Sequence, residues 1–241
     1  MKNSILLKYR KNITIESLIF VFMILFCIIF TIFFSSINTW LICISSILGI
    51  IASKKASEGK WSTFVFDILS YIVYIYSCIK YQYYGEMILS YIVIFCHLYG
   101  IIQWKKYQNN NIVKVNKIDK THFFMFVIIG FICFNVYYFI LKTFNTSLAF
   151  VNAIASVLFL MGNYLSYKRS VLQFVFWSLY EICFIFMWLF TIDSFSPGGI
   201  IFLIDGVCEL VYNIIGIQKW NKFKYTQNTC TILARKIVAK N

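Results

Sequence analysis

Histidine is almost missing from this sequence, which has two in 241 residues, and acids are scarce, with nine Asp and Glu against 22 Lys and Arg. No HExxH, GxSxG or paired-His pattern is present, so hydrolytic and metal-assisted chemistries lack their parts. No Walker pattern offers a nucleotide cradle either, and an enzyme, a cofactor and a metal are all unexpected. Of the eight Cys, none forms a CxxC pair. Cys27, Cys43, Cys78, Cys96, Cys133, Cys183 and Cys208 fall singly within apolar runs and read as packing residues, with Cys230 a thiol outside them. A membrane adaptor would need a soluble partner surface. The longest polar tract, Lys105 to His122, is rich in Asn and Lys and reads instead as a solvated segment that holds topology.

What the chain has in abundance is apolar surface: 61% hydrophobic residues, 26 Phe and 17 Tyr, with one Pro to interrupt it. A water-soluble core could not cover that much, so the chain is read as an integral membrane protein in contact with lipid. The net charge of +13 does not point to nucleic acid, because the basic residues sit in short tracts between apolar runs. Runs long enough for ~30 Å of hydrocarbon predict eight spans. They are Glu16–Ser35, Ile37–Ala52, Thr63–Gln82, Gly85–Trp104, Phe123–Leu141, Thr146–Tyr164, Leu172–Ile192 and Gly198–Gln218. The first run is long and lacks a small-residue cleavage site after it, so a cleaved signal peptide is not expected. Numbering the connecting tracts from the N-terminus, the odd ones hold 20 of the 22 Lys and Arg. By the positive-inside rule this places both termini in the cytoplasm.

The sequence also matches itself. A shift of 110 residues lays "SILGIIAS" (Ser46–Ser53) on "SVLFLMGN" (Ser156–Asn163) and "FVFD" (Phe64–Asp67) on "FVFW" (Phe174–Trp177). A shift of 116 lays "HLYGIIQWKKY" (His97–Tyr107) on "NIIGIQKWNKF" (Asn213–Phe223), with Gly100 over Gly216 and Trp104 over Trp220. Spans two to four are thereby paired with spans six to eight, in the same orientation, and span five becomes a linker. The expected segments are 1–35 (N-terminal segment and extra helix), 36–107 (first three-helix repeat), 108–143 (loop and linker helix), 144–223 (second repeat) and 224–241 (a cytoplasmic tail). Parallel repeats of this kind are a transporter architecture, SWEET-like in its three-one-three order, with substrate bound near mid-membrane between the repeats.

Polar residues then recur on single helical faces. Phe174, Trp177, Glu181, Phe184 and Trp188 are spaced by three and four, setting an acid among aromatic rings. Asp205, Glu209 and Asn213 form a stripe in span eight with Tyr212 adjoining; His97 and Ser90 share a face of span four; Asn152, Ser156 and Asn163 share one of span six. Tyr71 of span three completes the candidate set. An acid at a helix centre costs about 2.5–3.5 kcal/mol to insert, and such residues mark a pathway by default. Trp104 and Trp220 read as anchors at the membrane surface, and Asp67 and Glu86 as charges near helix starts.

Two stretches carry a family resemblance. "YGEMILSYIVIFCHLYGIIQWKK" (Tyr84–Lys106) resembles the third core helix of PnuC-type bacterial vitamin transporters, with an acid after a Tyr-rich turn, then a polar residue, an aromatic, Gly and a terminal Trp. "KRSVLQFVFWSLYE" (Lys168–Glu181) is similar to the family's run of a basic residue, two Trp and an Asn. The resemblance spans roughly Trp40 to Lys222. It implies facilitated diffusion, across the bacterial inner membrane, of an unphosphorylated vitamin that cytoplasmic phosphorylation then traps. Nicotinamide riboside is the leading substrate and thiamine the alternative, with homo-oligomers, trimers in some relatives, also implied. The departure is that Phe174, Trp177 and Glu181 stand where the family has Trp, Trp and Asn. A carboxylate among rings suits a flat cation such as a pyridinium or thiazolium.

Overall fold

The computed structural model describes residues 2–34, 36–80, 84–109, 111–144, 148–190 and 196–238, with the side chains of Cys78, Glu86 and Cys230 outside the described set. Within it the chain forms eight helices: α1 (Lys2–Phe33), α2 (Ile37–Ser57), α3 (Thr63–Lys80), α4 (Tyr84–Lys106), α5 (Lys120–Thr143), α6 (Ala149–Tyr167), α7 (Leu172–Phe190) and α8 (Pro197–Val238). A two-stranded antiparallel hairpin, β1 (Gln108–Asn109) and β2 (Ile112–Val113), separates α4 from α5. Six helices (α1, α2, α5, α6, α7 and α8) are long and apolar enough to cross a membrane, and α3 contributes a shorter apolar stretch, Thr63–Tyr76. In hydrocarbon every backbone group must be satisfied internally, which is why uninterrupted apolar runs become helices. The one Pro sits at the first position of α8, where its missing N–H costs nothing, and Ser196 Oγ accepts from Gly199 N at 3.1 Å as the cap.

Six helices close a ring. α2 packs on α3, α3 on α4, α4 on α6, α6 on α7, α7 on α8, and α8 returns to α2, while α1 leans on α2 and α8, and α5 on α6. The outer helices present their side chains to the lipid: on α5 only Gly130 and Leu141 are buried, and Phe124, Phe131 and Phe139 are exposed.

One end of the ring is sealed by matched contacts from its two halves. Trp104 Nε1, at the end of α4, donates to Ser166 O at the end of α6 (2.8 Å), and Trp220 Nε1, on α8, donates to Ala56 O at the end of α2 (3.0 Å). The two indoles meet at 5.4 Å between them, flanked by Phe64 on the first and Phe174 on the second. A methyl on Gly100 would collide with the Phe64 ring, and one on Gly216 with the Phe174 ring, so each glycine is what lets α4 or α8 approach its neighbour. The α2–α3 and α6–α7 turns match as well. Gly59 and Arg169 take the left-handed backbone (φ 70° and 58°), and their N–H groups donate to Ala56 O and Ser166 O.

Two expectations change here. Trp104 and Trp220 are fully buried rather than set at the lipid surface, because the facing indoles and the two phenylalanines bury more apolar area than an interfacial position could. The polar tract after α4 is not simply solvated either. It is stitched across the sealed end, with Val113 N donating to Gly59 O, Asn116 N to Arg169 O, and Val115 N to Gln227 Oε1. The Arg169 guanidinium stacks 3.5 Å from the Tyr107 ring centroid. The reciprocal anchor lies in the expected tail, where α8 continues as helix beyond Gln218 and Gln227 Nε2 donates to Val113 O.

Candidate functional site

The ring encloses a cavity of about 420 Å³, within the range of small-ligand sites. Its wall is built by period. Each ring helix turns one polar or aromatic stripe inward, since positions three and four apart share a face. Trp177, Glu181, Phe184 and Trp188 come from α7, Asp205, Glu209 and Asn213 from α8, and Asn152 and Ser156 from α6. His97 comes from α4 and Tyr71 from α3.

Two of the expected site residues are elsewhere. Phe174 is fully buried one turn below the cavity, against Trp220 and Gly216, because the indole pair closes the ring at that level. Tyr212 faces outward toward α1, with its ring 6.4 Å from Phe20, since it sits to one side of the stripe, about 100° round the helix from Asn213. In exchange the cavity includes Asn163, from the polar face expected on span six, and residues that the candidate set left out. Asp67 and Asn163 line its sealed end, and Tyr74, Tyr180, Phe159 and Phe202 add rings higher up. Asp67 was legible as an acid inside an apolar run. Its depth was not, because the Trp pair and the strap that enclose it come from residues far along the chain.

The site is polar at its centre and aromatic toward the other end. Glu181 is 3% exposed, and it shares the cavity wall with Glu209. Glu209 and Asp205 approach the backbone of α2 at Gly49, where a methyl would stand 2.8 Å from Glu209 Oε1 and 3.9 Å from Asp205 Oδ1. Asp205 Oδ1 is buried and has no hydrogen-bond partner. Toward the sealed end, Asp67 Oδ2 is 3.4 Å from His97 Nε2, and His97 Nδ1 is 3.0 Å from the Tyr167 hydroxyl. At the opposite end Trp188 stacks on Phe202 (4.6 Å between centroids), with Phe184 and Tyr74 set edge-on to the same ring. Among the described residues no Lys or Arg lines the cavity, and none of the His, Cys, Asp and Glu groups is arranged to hold a metal ion. Acids set among aromatic faces, with no Lys or Arg beside them, are an arrangement that a flat cation can satisfy chemically.

Comparison with known proteins identifies the family. The family model described as "Nicotinamide mononucleotide transporter" matches residues 39–222, which spans the whole ring from α2 to α8. The chain belongs to this transporter family. A nicotinamide riboside transporter, PnuC, from Neisseria mucosa is 21% identical over 192 residues, covering 77% of this chain and 73% of the relative. A crystal structure of the vitamin B3 transporter PnuC superposes with a TM-score of 0.75 at 20% identity, covering 88% of this chain and 92% of that one. The family is one of multi-pass membrane transporters and not of enzymes, which accords with the missing catalytic motifs.

Proposed function

We propose that this chain carries nicotinamide riboside, in its unphosphorylated form, across the bacterial inner membrane by facilitated diffusion, and that phosphorylation in the cytoplasm retains it. One observation carries the choice between riboside and mononucleotide. The cavity presents Asp67, Glu181, Asp205 and Glu209 and no Lys or Arg among the described residues. A phosphate group calls for Arg or Lys. Here it would meet four acids and no Lys or Arg among the described residues, whereas the pyridinium of the riboside brings the positive charge that the acids lack. The rings of Trp177, Tyr71 and Phe184 supply faces for the flat heterocycle. Thiamine also carries a cationic ring, but the family model and the relative are named for nicotinamide nucleotides or nucleosides, and the relative for the riboside.

The architecture that supports this reading is a three-one-three arrangement of eight spans, SWEET-like, with α2–α4 and α6–α8 as parallel repeats, α5 as linker and α1 appended. The reciprocal bonds of Trp104 and Trp220 and the paired left-handed turns at Gly59 and Arg169 support it. The basic tracts gather at the Trp104 end, which makes that end, and both termini, cytoplasmic. Substrate would then sit at the repeat interface near mid-membrane.

The test is uptake of labelled nicotinamide riboside into proteoliposomes, challenged with excess unlabelled riboside, nicotinamide mononucleotide or thiamine. Competition by the riboside and none by the mononucleotide is expected. Equal competition by the mononucleotide would defeat the argument from the acidic cavity, and competition by thiamine alone would reassign the substrate.

A further inference from the structure

The strap and the start of α5 enclose a second cavity, outside the ring, that the substrate site does not use. α5 and α6 are consecutive apolar helices of membrane-spanning length packed side by side, so the start of α5 and the end of α6 meet at the same membrane surface. Near the middle of α5 the two approach closely, since a methyl on Gly130 would stand 2.6 Å from Met161 Sδ. Toward the surface Phe126 stacks on Tyr164, 4.9 Å between centroids, and beside that pair lies a cavity of about 280 Å³ lined on its other side by residues 116–119. Its chemistry is divided. The floor is apolar, made of the fully buried Leu165 and the two stacked rings. The rim is basic, with Lys117 from the strap and Lys168 from the end of α6. The one acid of this rim, Asp119, has its Oδ2 3.6 Å from His122 Nδ1 and leaves the lysines alone. Among the described residues neither lysine has an ion pair, and Lys168 Nζ stands 5.6 Å from the centre of the Tyr164 ring.

We propose that this cavity binds the headgroup of an anionic glycerophospholipid, with its phosphodiester between Lys117 and Lys168 and its acyl chains along the lipid-facing side of α5 and α6. Two ammonium groups over an apolar floor at a membrane surface suit an anion that carries a hydrocarbon tail, and basic pockets between membrane helices recognise anionic headgroups in this way. A free phosphate would satisfy the lysines and leave the floor unused. The apolar surface does not stop at the cavity, because Phe124 and Ile128 continue it outward along α5. The lipid has a structural task as well. Lys117 belongs to the strap and Lys168 caps α6, and the two segments meet where Asn116 N donates to Arg169 O at 2.9 Å. A phosphate shared by both lysines therefore ties the strap to the ring at its sealed end, and the chains beside Phe126 and Tyr164 fill the margin between α5 and α6. This assignment is independent of which vitamin the ring carries.

The experiment takes the purified full-length protein in a neutral detergent, with phosphatidylglycerol or phosphatidylcholine added to the micelles at equal mole fraction. Native mass spectrometry counts the lipid retained, and thermal unfolding reads the stabilisation that a ligand of the folded state confers. Each basic group near a membrane surface strengthens association with anionic lipid about fivefold, so two should retain phosphatidylglycerol about 30-fold more tightly than phosphatidylcholine. Lys117→Gln with Lys168→Gln is expected to remove that preference and the stabilisation with it. Lys222→Gln with Lys224→Gln, which takes the same charge from α8, is expected to keep both. Glycerol 3-phosphate, a headgroup without tails, and inorganic phosphate are expected to stabilise neither the wild type nor the variants. Equal retention of the two lipids by the wild-type protein would overturn the proposal, whether or not the variants fold. Equal losses in the two double variants would reduce it to general charge attraction and overturn it too, and full stabilisation by glycerol 3-phosphate or inorganic phosphate would replace the lipid with a soluble anion.

Discussion

Replacing Glu181 with Gln should move affinity and stability in opposite directions. The side chain is 3% exposed and shares the cavity wall with Glu209, and Gln keeps its shape without its charge. An acid at a helix centre costs about 2.5–3.5 kcal/mol to insert, and the amide removes part of that cost, so the unliganded protein should unfold at the same temperature or higher. For the bound cation the loss runs the other way. Opposite unit charges 4 Å apart interact by about 4 kcal/mol at an effective dielectric of about 20, but Asp205 and Glu209 remain to share the charge. A charge-assisted contact in such a site is worth about 1.5–3 kcal/mol, so the dissociation constant for nicotinamide riboside should rise about 10- to 150-fold. Calorimetric titration gives the first quantity and thermal unfolding of the empty protein the second. An E181Q protein that binds riboside within twofold of wild type would refute the role of the carboxylate, and one that unfolds far earlier when empty would make it structural.

Further outcomes follow from the sealed end. Trp104→Phe and Trp220→Phe each remove one indole donor from a buried carbonyl, at Ser166 and Ala56 respectively, so each should lower stability by about 1–2 kcal/mol and by similar amounts, read as the unfolding temperature in one detergent. A large difference between the two would contradict their equivalence. Gly216→Ala pushes a methyl into the Phe174 ring and should cost about 1–3 kcal/mol, with Phe174→Leu in the same chain recovering part of it; no recovery would mean that the clash lies elsewhere. Gln227→Ala releases the strap at Val113 and Val115. Trypsin should then cut faster at Lys114 and Lys117 while riboside affinity stays within twofold, and unchanged cleavage would show that Gly59 and Arg169 hold the strap alone.

Much of this was legible because the membrane imposes period and length. Apolar runs gave the helices, and spacing of three and four placed Glu181, Trp177, Glu209 and His97 on inward faces that do meet in one cavity. Period gives a face but not the depth at which the face ends. Phe174 shares the stripe of Trp177 and Glu181, yet the cavity stops above it, because the Trp104 and Trp220 indoles close the ring there. Those two residues misled in the same way: a Trp followed by basic residues looks interfacial, and only the packing of α4 against α6 and α8 against α2 shows it to be buried. Asp67 lay hidden for the complementary reason. Four residues from a helix start it reads as solvent-facing, but a strap anchored at Gln227 covers that end, and no local pattern connects residue 67 to residue 227.

The central claim is that the cavity recognises positive charge on a flat ring. Its most direct test is to titrate the wild-type protein with nicotinamide riboside and with the same nucleoside reduced to the dihydropyridine, which has nearly the same shape and no charge. Binding of the charged form at least tenfold tighter than the neutral one is the expected result. Equal affinity would mean that the four acids of the cavity do not select the substrate, and the account of how this chain chooses its cargo would be wrong.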